Sequence, residues 1–347
     1  MSQKRSREWE YRRQDENLAV NADQAEFAAI MYGSSNFESG TYDERLAGAL
    51  DDYEVVPPQP TTRWANDDTA LDSASSEVGN EIKRRKGVLG DKYPFDVKGN
   101  QIQYNPSKSL VYEFCLAISL AASLHTGETK KLPIAFERLA RDLTVFLLGT
   151  GAQGYRTGWP NDSLEDRPTK FKELMGKLSA MAGEWNWSPE RGLPDDPSSR
   201  DIKDEGLDFV VWKGFVDQRG GRLFILGQCA CGNDYQTKYA DIDPEFRKLK
   251  KWLRPLSHAT PMRVFTTPRH IPNDTYFKEV NELAGLTLDR IRITLLAEES
   301  DLSRKHVLDN AKIPYEELIK IVISGFQVAQ PKKKQRPQKA AAARRSR

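Results

Sequence analysis

Hydrophobic positions recur along this chain with two different periods, and the change between them divides it. In the N-terminal third the spacing is helical. "NADQAEFAAIMYGS" (Asn21–Ser34) opens on an Asn suited to a helix cap, carries apolar residues three and four apart, and stops near Gly33. "TYDERLAGALDDY" (Thr41–Tyr53) repeats the pattern and runs into the breaker "VVPPQPTT" (Val55–Thr62). The acidic, Ser-rich stretch that follows is expected to begin as a loop and end as a helix, closing at Gly87 or Gly90. "YPFDVKGNQIQYN" (Tyr93–Asn105) alternates as a short hairpin turning at Lys98-Gly99-Asn100. "SLVYEFCLAISLAASL" (Ser109–Leu124) is apolar enough for a buried helix, but Glu113 and its serines keep it from the ~18 apolar residues of a membrane span.

After "HTGETKK" (His125–Lys131) the pattern changes. "LPIAFERLARDLTVFLLGTG" (Leu132–Gly151) predicts a long amphipathic helix stopped by its glycines, and "TKFKELMGKLSAMAGEW" (Thr169–Trp185) a second. Two apolar strands then flank the turn "VDQRGG", followed by a short helix near Asp234–Ala240 and the helix "DPEFRKLKKWL" (Asp243–Leu253). "MRVFTTPRHI" (Met262–Ile271) reads as a buried strand, and "NDTYFKEVNELAG" (Asn273–Gly285) as a capped helix ending on Gly. "RIRITLLA" (Arg290–Ala297) reads as a strand, and "PYEELIKIVISGF" (Pro314–Phe326) as a last helix with Pro in its first turn. Helices alternating with strands in this order predict an α/β fold on a mixed sheet. The expected organisation is a charged extension (1–20), a mostly helical N-terminal domain (21–128), an α/β domain (129–328) and a basic tail (329–347).

Composition narrows the picture. With 347 residues, 38% hydrophobic and 29% charged, the chain is long enough for two ordinary domains. The charged start has no apolar segment of the kind a secretory signal needs. Three cysteines (Cys115, Cys229 and Cys231) fit a reducing cytoplasm and no disulfide framework. Cys229 and Cys231 share one strand face without a second Cys or His pair at zinc spacing, and read as small buried hydrophobes. The net charge of +2 hides an asymmetry: Pro331–Arg347 holds eight cations and no acid, leaving −6 on the rest. Lys332, Lys333, Lys334 and Arg336 in this tail suit nucleic-acid phosphates, or simply keep a terminus soluble. His270 reads as structural.

Chemistry concentrates in "KDEGLDFVVWKGFVDQRGGRLFILGQCACGNDYQTK" (Lys203–Lys238). With the turn centred near Gln218, the antiparallel ladder sets Asp208 opposite Gln228. Alternation groups Leu226, Gln228 and Ala230 on one face, and Gly227, Cys229 and Cys231 on the other. A carboxylate beside an amide oxygen suits Mg²⁺ or Mn²⁺, and Lys238, beyond the second strand, can swing its amine toward the same end. An amide such as Gln228 in an apolar strand must find partners or cost about 1–3 kcal/mol.

"DEGLD", an apolar strand, a turn and "FILGQCACG" resemble the G-x-D … Q-x-K arrangement of the Mrr-type branch of PD-(D/E)XK, or restriction-endonuclease-like, nucleases. "FERLARDLTVFLLGTG" is similar to that family's first core helix, whose glutamate reaches the site. The resemblance covers roughly Leu132 to Leu296. It implies a mixed sheet flanked by helices, with Glu137 as the helix acid, Asp208 as the central metal ligand and Gln228 in place of an acidic ligand. It implies a Mg²⁺- or Mn²⁺-dependent DNA endonuclease, loosely associated with bacterial antiviral defence. A toxic nuclease needs control, so a protein partner or an activating signal is expected; a separate role for the N-terminal region is to mediate homo-oligomer formation. The chain departs from the motif where it calls for lysine, at Ala230. Either Lys238 supplies that charge, or the fold is retained in an inactive subunit that binds DNA or protein.

Overall fold

A computed structural model describes residues 2–37, 77–161, 166–193, 202–300 and 314–329. The expected helix at Thr41–Tyr53 and the tail cations Lys332, Lys333, Lys334 and Arg336 lie outside these residues. Strands β1 (Ser34–Asn36), β2 (Phe95–Lys98) and β3 (Gln101–Tyr104) form a small antiparallel sheet in the order β1-β3-β2. Its hairpin turns at Gly99 and Asn100, as the alternation predicted. The principal sheet holds β4 (Ala152–Arg156), β5 (Phe209–Lys213), β6 (Leu223–Cys229), β7 (Met262–Thr266) and β8 (Leu286–Leu288), in that spatial order. The β4–β5 and β5–β6 pairs are antiparallel, and β6–β7 and β7–β8 are parallel. The expected α/β class with a mixed sheet is therefore observed.

Helices cover both faces of this sheet. One face carries α4 (Lys131–Leu148), whose Phe136, Leu139 and Leu143 pack with Phe209, Val211, Ile225 and Val264. The same core continues through α1 (Ser2–Tyr32), α2 (77–89), α3 (Val111–Leu120), α8 (Arg290–Glu299) and α9 (Tyr315–Ala329). The other face carries α5 (Phe171–Ala182), which packs on Val210, Trp212, Phe224 and Leu226. The crossover from β6 to β7 contains the short helix α6 (Arg247–Lys250), and α7 (Asp274–Ala284) joins β7 to β8.

Three local readings change. The helix expected to begin at Asn21 already runs from Ser2, so Asn21 is interior and no cap. Arg290–Ala297 is the body of α8 and not a strand: the Asp289 side chain accepts from Arg292 N and caps it. Arg290, Ile291, Ile293, Thr294 and Ala297 are all buried, so its sequence lacks the one-sided pattern of a surface helix. The helix expected over Asp243–Leu253 shortens to Arg247–Lys250, because Phe246 adopts a left-handed backbone (φ 56°) before it and Trp252 and Leu253 turn into the core after it. The strand β4 was not anticipated. "AQGYR" has few β-formers, and it is an edge strand held by its pairing with β5.

A buried ion network joins the N-terminal helices to the sheet. Arg85 of α2 bonds Asp23 at 2.7 Å, Glu26 at 3.0 Å and Glu81 at 2.8 Å. Arg290 adds two 2.7 Å bonds to Asp23. His270 lies between Asp289 (2.8 Å from Nδ1) and Glu81 (3.2 Å from Nε2), in the structural role its context suggested.

Candidate active site

The ladder has the register read from the turn: Phe209 faces Gly227, which carries on to set position 208 across from 228. Gly227 is required there, since a Cβ would fall 2.0 Å from the Phe209 ring. At Asp208 the regular pattern ends. Its N–H donates to Gly227 O (2.9 Å), and its carbonyl turns toward β4 to accept from Thr157 N (2.8 Å) and Gly158 N (2.9 Å). Its carboxylate takes over the neighbouring ladder position and accepts from Cys229 N at 2.7 Å.

Glu137 arrives from α4 and is buried. Gly158 lets it in: a Cβ there would stand 2.3 Å from Glu137 Oε2. Arg156, at the end of β4 and fully buried, donates from Nε to Glu137 Oε2 at 2.6 Å and from Nη2 to Pro160 O at 3.0 Å. Burial, then the negative charges of Glu137 and Asp204, push the Asp208 carboxyl well above the usual carboxylate range, outweighing the Cys229 N–H and Arg156. Glu137 and Asp208 thus influence one another electrostatically from separate elements, with Arg156 paired to Glu137.

Gln228 and Lys238 meet elsewhere. Alternation puts Gln228 with Leu226 and Ala230 on the face away from α4. There Gln228 Nε2 donates to Asp241 Oδ2 at 2.7 Å. Asp241 also takes Lys238 Nζ at 3.6 Å and Lys248 Nζ at 3.0 Å. A carboxylate only accepts, so the amide nitrogen faces Asp241 and Gln228 Oε1 is left for another donor or a cation. Gly206, two residues before Asp208, brings the loop to within 3.0 Å of Asp241 Cβ, measured from where its own Cβ would be. Both clusters therefore lie at one end of the sheet, on opposite sides of β6.

Asp241, Arg156 and Lys248 were not singled out in the sequence. Gln228 signalled only that some partner must exist. Cys229 and Cys231 lie on the α4 side, as alternation predicted, and burial with the Asp208 and Glu137 charges raises both thiols well above their ordinary value. They remain protonated and behave as small hydrophobes. Among the described residues no three His, Cys, Asp or Glu side chains converge as a metal cluster. The expected ligand set of Glu137, Asp208 and Gln228 is therefore split, because Gln228 turns to Asp241 on the other side of β6; the two carboxylates alone suit a hard cation in part, since Mg²⁺ keeps several waters beside one or two carboxylates. No family model, curated protein or solved structure matches the chain. Among the described residues no helix is long and apolar enough to cross a membrane.

Proposed function

We propose that the protein is a metal-dependent phosphodiesterase with a restriction-endonuclease-like core, acting as a DNA endonuclease of antiviral defence. One observation carries the reading: Glu137 and Asp208 come from separate elements to interact while buried, and Asp208 is driven toward protonation by its burial and then by the charges of Glu137 and Asp204. A hard cation relieves such a pair. The element order agrees with the resemblance: an acidic helix, an Asp-led strand hairpinned to the Gln228 strand, then helix and parallel strand.

Glu137 and Asp208 would hold Mg²⁺ or Mn²⁺, with waters filling its remaining positions; Gln228, bonded to Asp241 on the other side of β6, would not be a ligand of that ion. The ion would supply charge neutralisation at the phosphate and a more acidic water. Lys238 and Lys248, gathered by Asp241, place two ammonium groups at the same end of the sheet for the phosphate charge that develops.

The Arg156–Glu137 pair favours a second reading. A guanidinium already neutralises Glu137, and with Ala230 in the motif's lysine position the fold would serve as a binding subunit. Plasmid cleavage in Mg²⁺ or Mn²⁺ separates the two. The nuclease reading expects Asp208→Ala and Glu137→Gln to lose at least about 100-fold in rate, and Lys238→Ala about 10-fold or more. Equal rates in wild type and all three variants discard it.

A further inference from the structure

A second site lies along the β6–β7 crossover. Leu249, Trp252 and Leu253 are buried in the core, which turns Arg247, Lys250, Lys251 and Arg254 outward. These four cations, with His258, line a cavity of about 840 Å³ together with Glu190 and Glu245. Arg247 is paired with Asp243 at 3.3 Å and Glu245 at 3.9 Å, and Arg254 with Glu190. Lys250 Nζ stands over the Phe246 ring at 5.8 Å. Among the described residues neither Lys250 nor Lys251 is paired with a carboxylate, so two ammonium groups face the cavity uncompensated. On the other side of the same short helix, Lys248 Nζ bonds Asp241, the residue that also holds Gln228. Lys248 and Arg247, each ion-paired, thus lie between the Asp241 cluster and the cavity.

We propose that this cavity and the outer side of α6 bind the phosphate backbone of a nucleic-acid strand and lead it toward Asp208 and Gln228. The volume exceeds what one phosphate fills and lies within the range of sites that enclose an organic ligand. The cations follow one another along the chain, as a polyanion requires, and do not close around one centre. Acids on Arg247 and Arg254 hold those side chains in place, leaving Lys250 and Lys251 as the phosphate contacts. The direction of the strand rests on the phosphodiesterase reading; binding itself does not.

The test is anisotropy of a labelled oligonucleotide with the full-length chain in EDTA across a salt series. Lys250→Gln/Lys251→Gln is compared with wild type and with Lys332→Gln/Lys333→Gln/Lys334→Gln in the tail. Both cavity lysines are exposed, so the fold survives their replacement. The cavity variant is expected to bind about 10-fold more weakly at low salt. Its slope of log K against log salt should be shallower by about 1.4, two single-strand contacts. Unchanged affinity and slope, no binding by wild type, loss only in the tail variant, or displacement by equimolar inorganic phosphate would each overturn the site. Cleavage that persists in the cavity variant would sink this inference alone. Undiminished binding by Asp208→Ala that cleaves like wild type would sink the catalytic reading alone.

Discussion

Asp208 is destabilised where it stands, and the sign of that effect can be measured. Its folded proton affinity is raised above the unfolded value, so the folded state holds the proton longer. The cost is absent below the unfolded value near pH 4 and grows as pH rises through the folded one. Asp208→Asn is therefore expected to melt higher than wild type in metal-free buffer at pH 8, with the difference closing at pH 4. Mg²⁺ at a hundredfold excess over Kd should stabilise wild type by about 2.7 kcal/mol, raising its Tm, and leave the Tm of Asp208→Asn unmoved. Calorimetry in EDTA and in Mg²⁺ reads both. A Tm for Asp208→Asn below wild type at pH 8 would show that the carboxylate is held by partners and not opposed by them.

Gly227 makes a related point about space. Its missing Cβ is where the Phe209 ring lies, so Gly227→Ala should cost about 1–3 kcal/mol or more through overpacking. Urea unfolding of the purified variant checks this.

Between elements, charge rather than apolar contact gives the most specific attachment. Arg85 serves three carboxylates from α1 and α2 with a side chain wholly removed from solvent. Its removal leaves Asp23, Glu26 and Glu81 short of a cation, and Arg85→Ala is expected to lose about 3–5 kcal/mol of stability. Burial alone would raise the Asp23 carboxyl, but Arg290 and Arg85 lower it to about 2. Its contribution is present above the unfolded value near 4 and disappears as pH falls through about 2. An acid titration followed by circular dichroism should therefore show Asp23→Asn losing less stability than wild type below pH 4. Local patterning reached the helices around this network but not the network itself. The α4, α5 and α7 helices were legible because their caps and apolar faces are encoded within a few residues. The α8 helix was not, because burial on most of its sides removes the amphipathic period.

Over the whole molecule, one core runs from α1 and α3 through α4 to β5, β6 and α8. The N-terminal third therefore completes the layer that covers one face of the sheet. A chain beginning at Glu128 would expose that layer and leave Arg290 buried without Asp23. Such a chain is expected to lose its cooperative melting transition, which calorimetry would show; an unchanged transition would mean the two parts fold independently.

The hairpin register, the faces of Gln228 and of Cys229 and Cys231, and the Glu137 helix were all determined by the sequence. Each depends on a repeat of two or 3.6 residues, or on a turn a few residues long. Tertiary structure alone decided that Asp208 joins Glu137 and Arg156 while Gln228 turns to Asp241, and that α6 carries cations from Asp241 to a cavity. Those partners lie at least 13 residues apart in the chain, and their meeting is set by how helices and loops pack across a sheet. No local period records that.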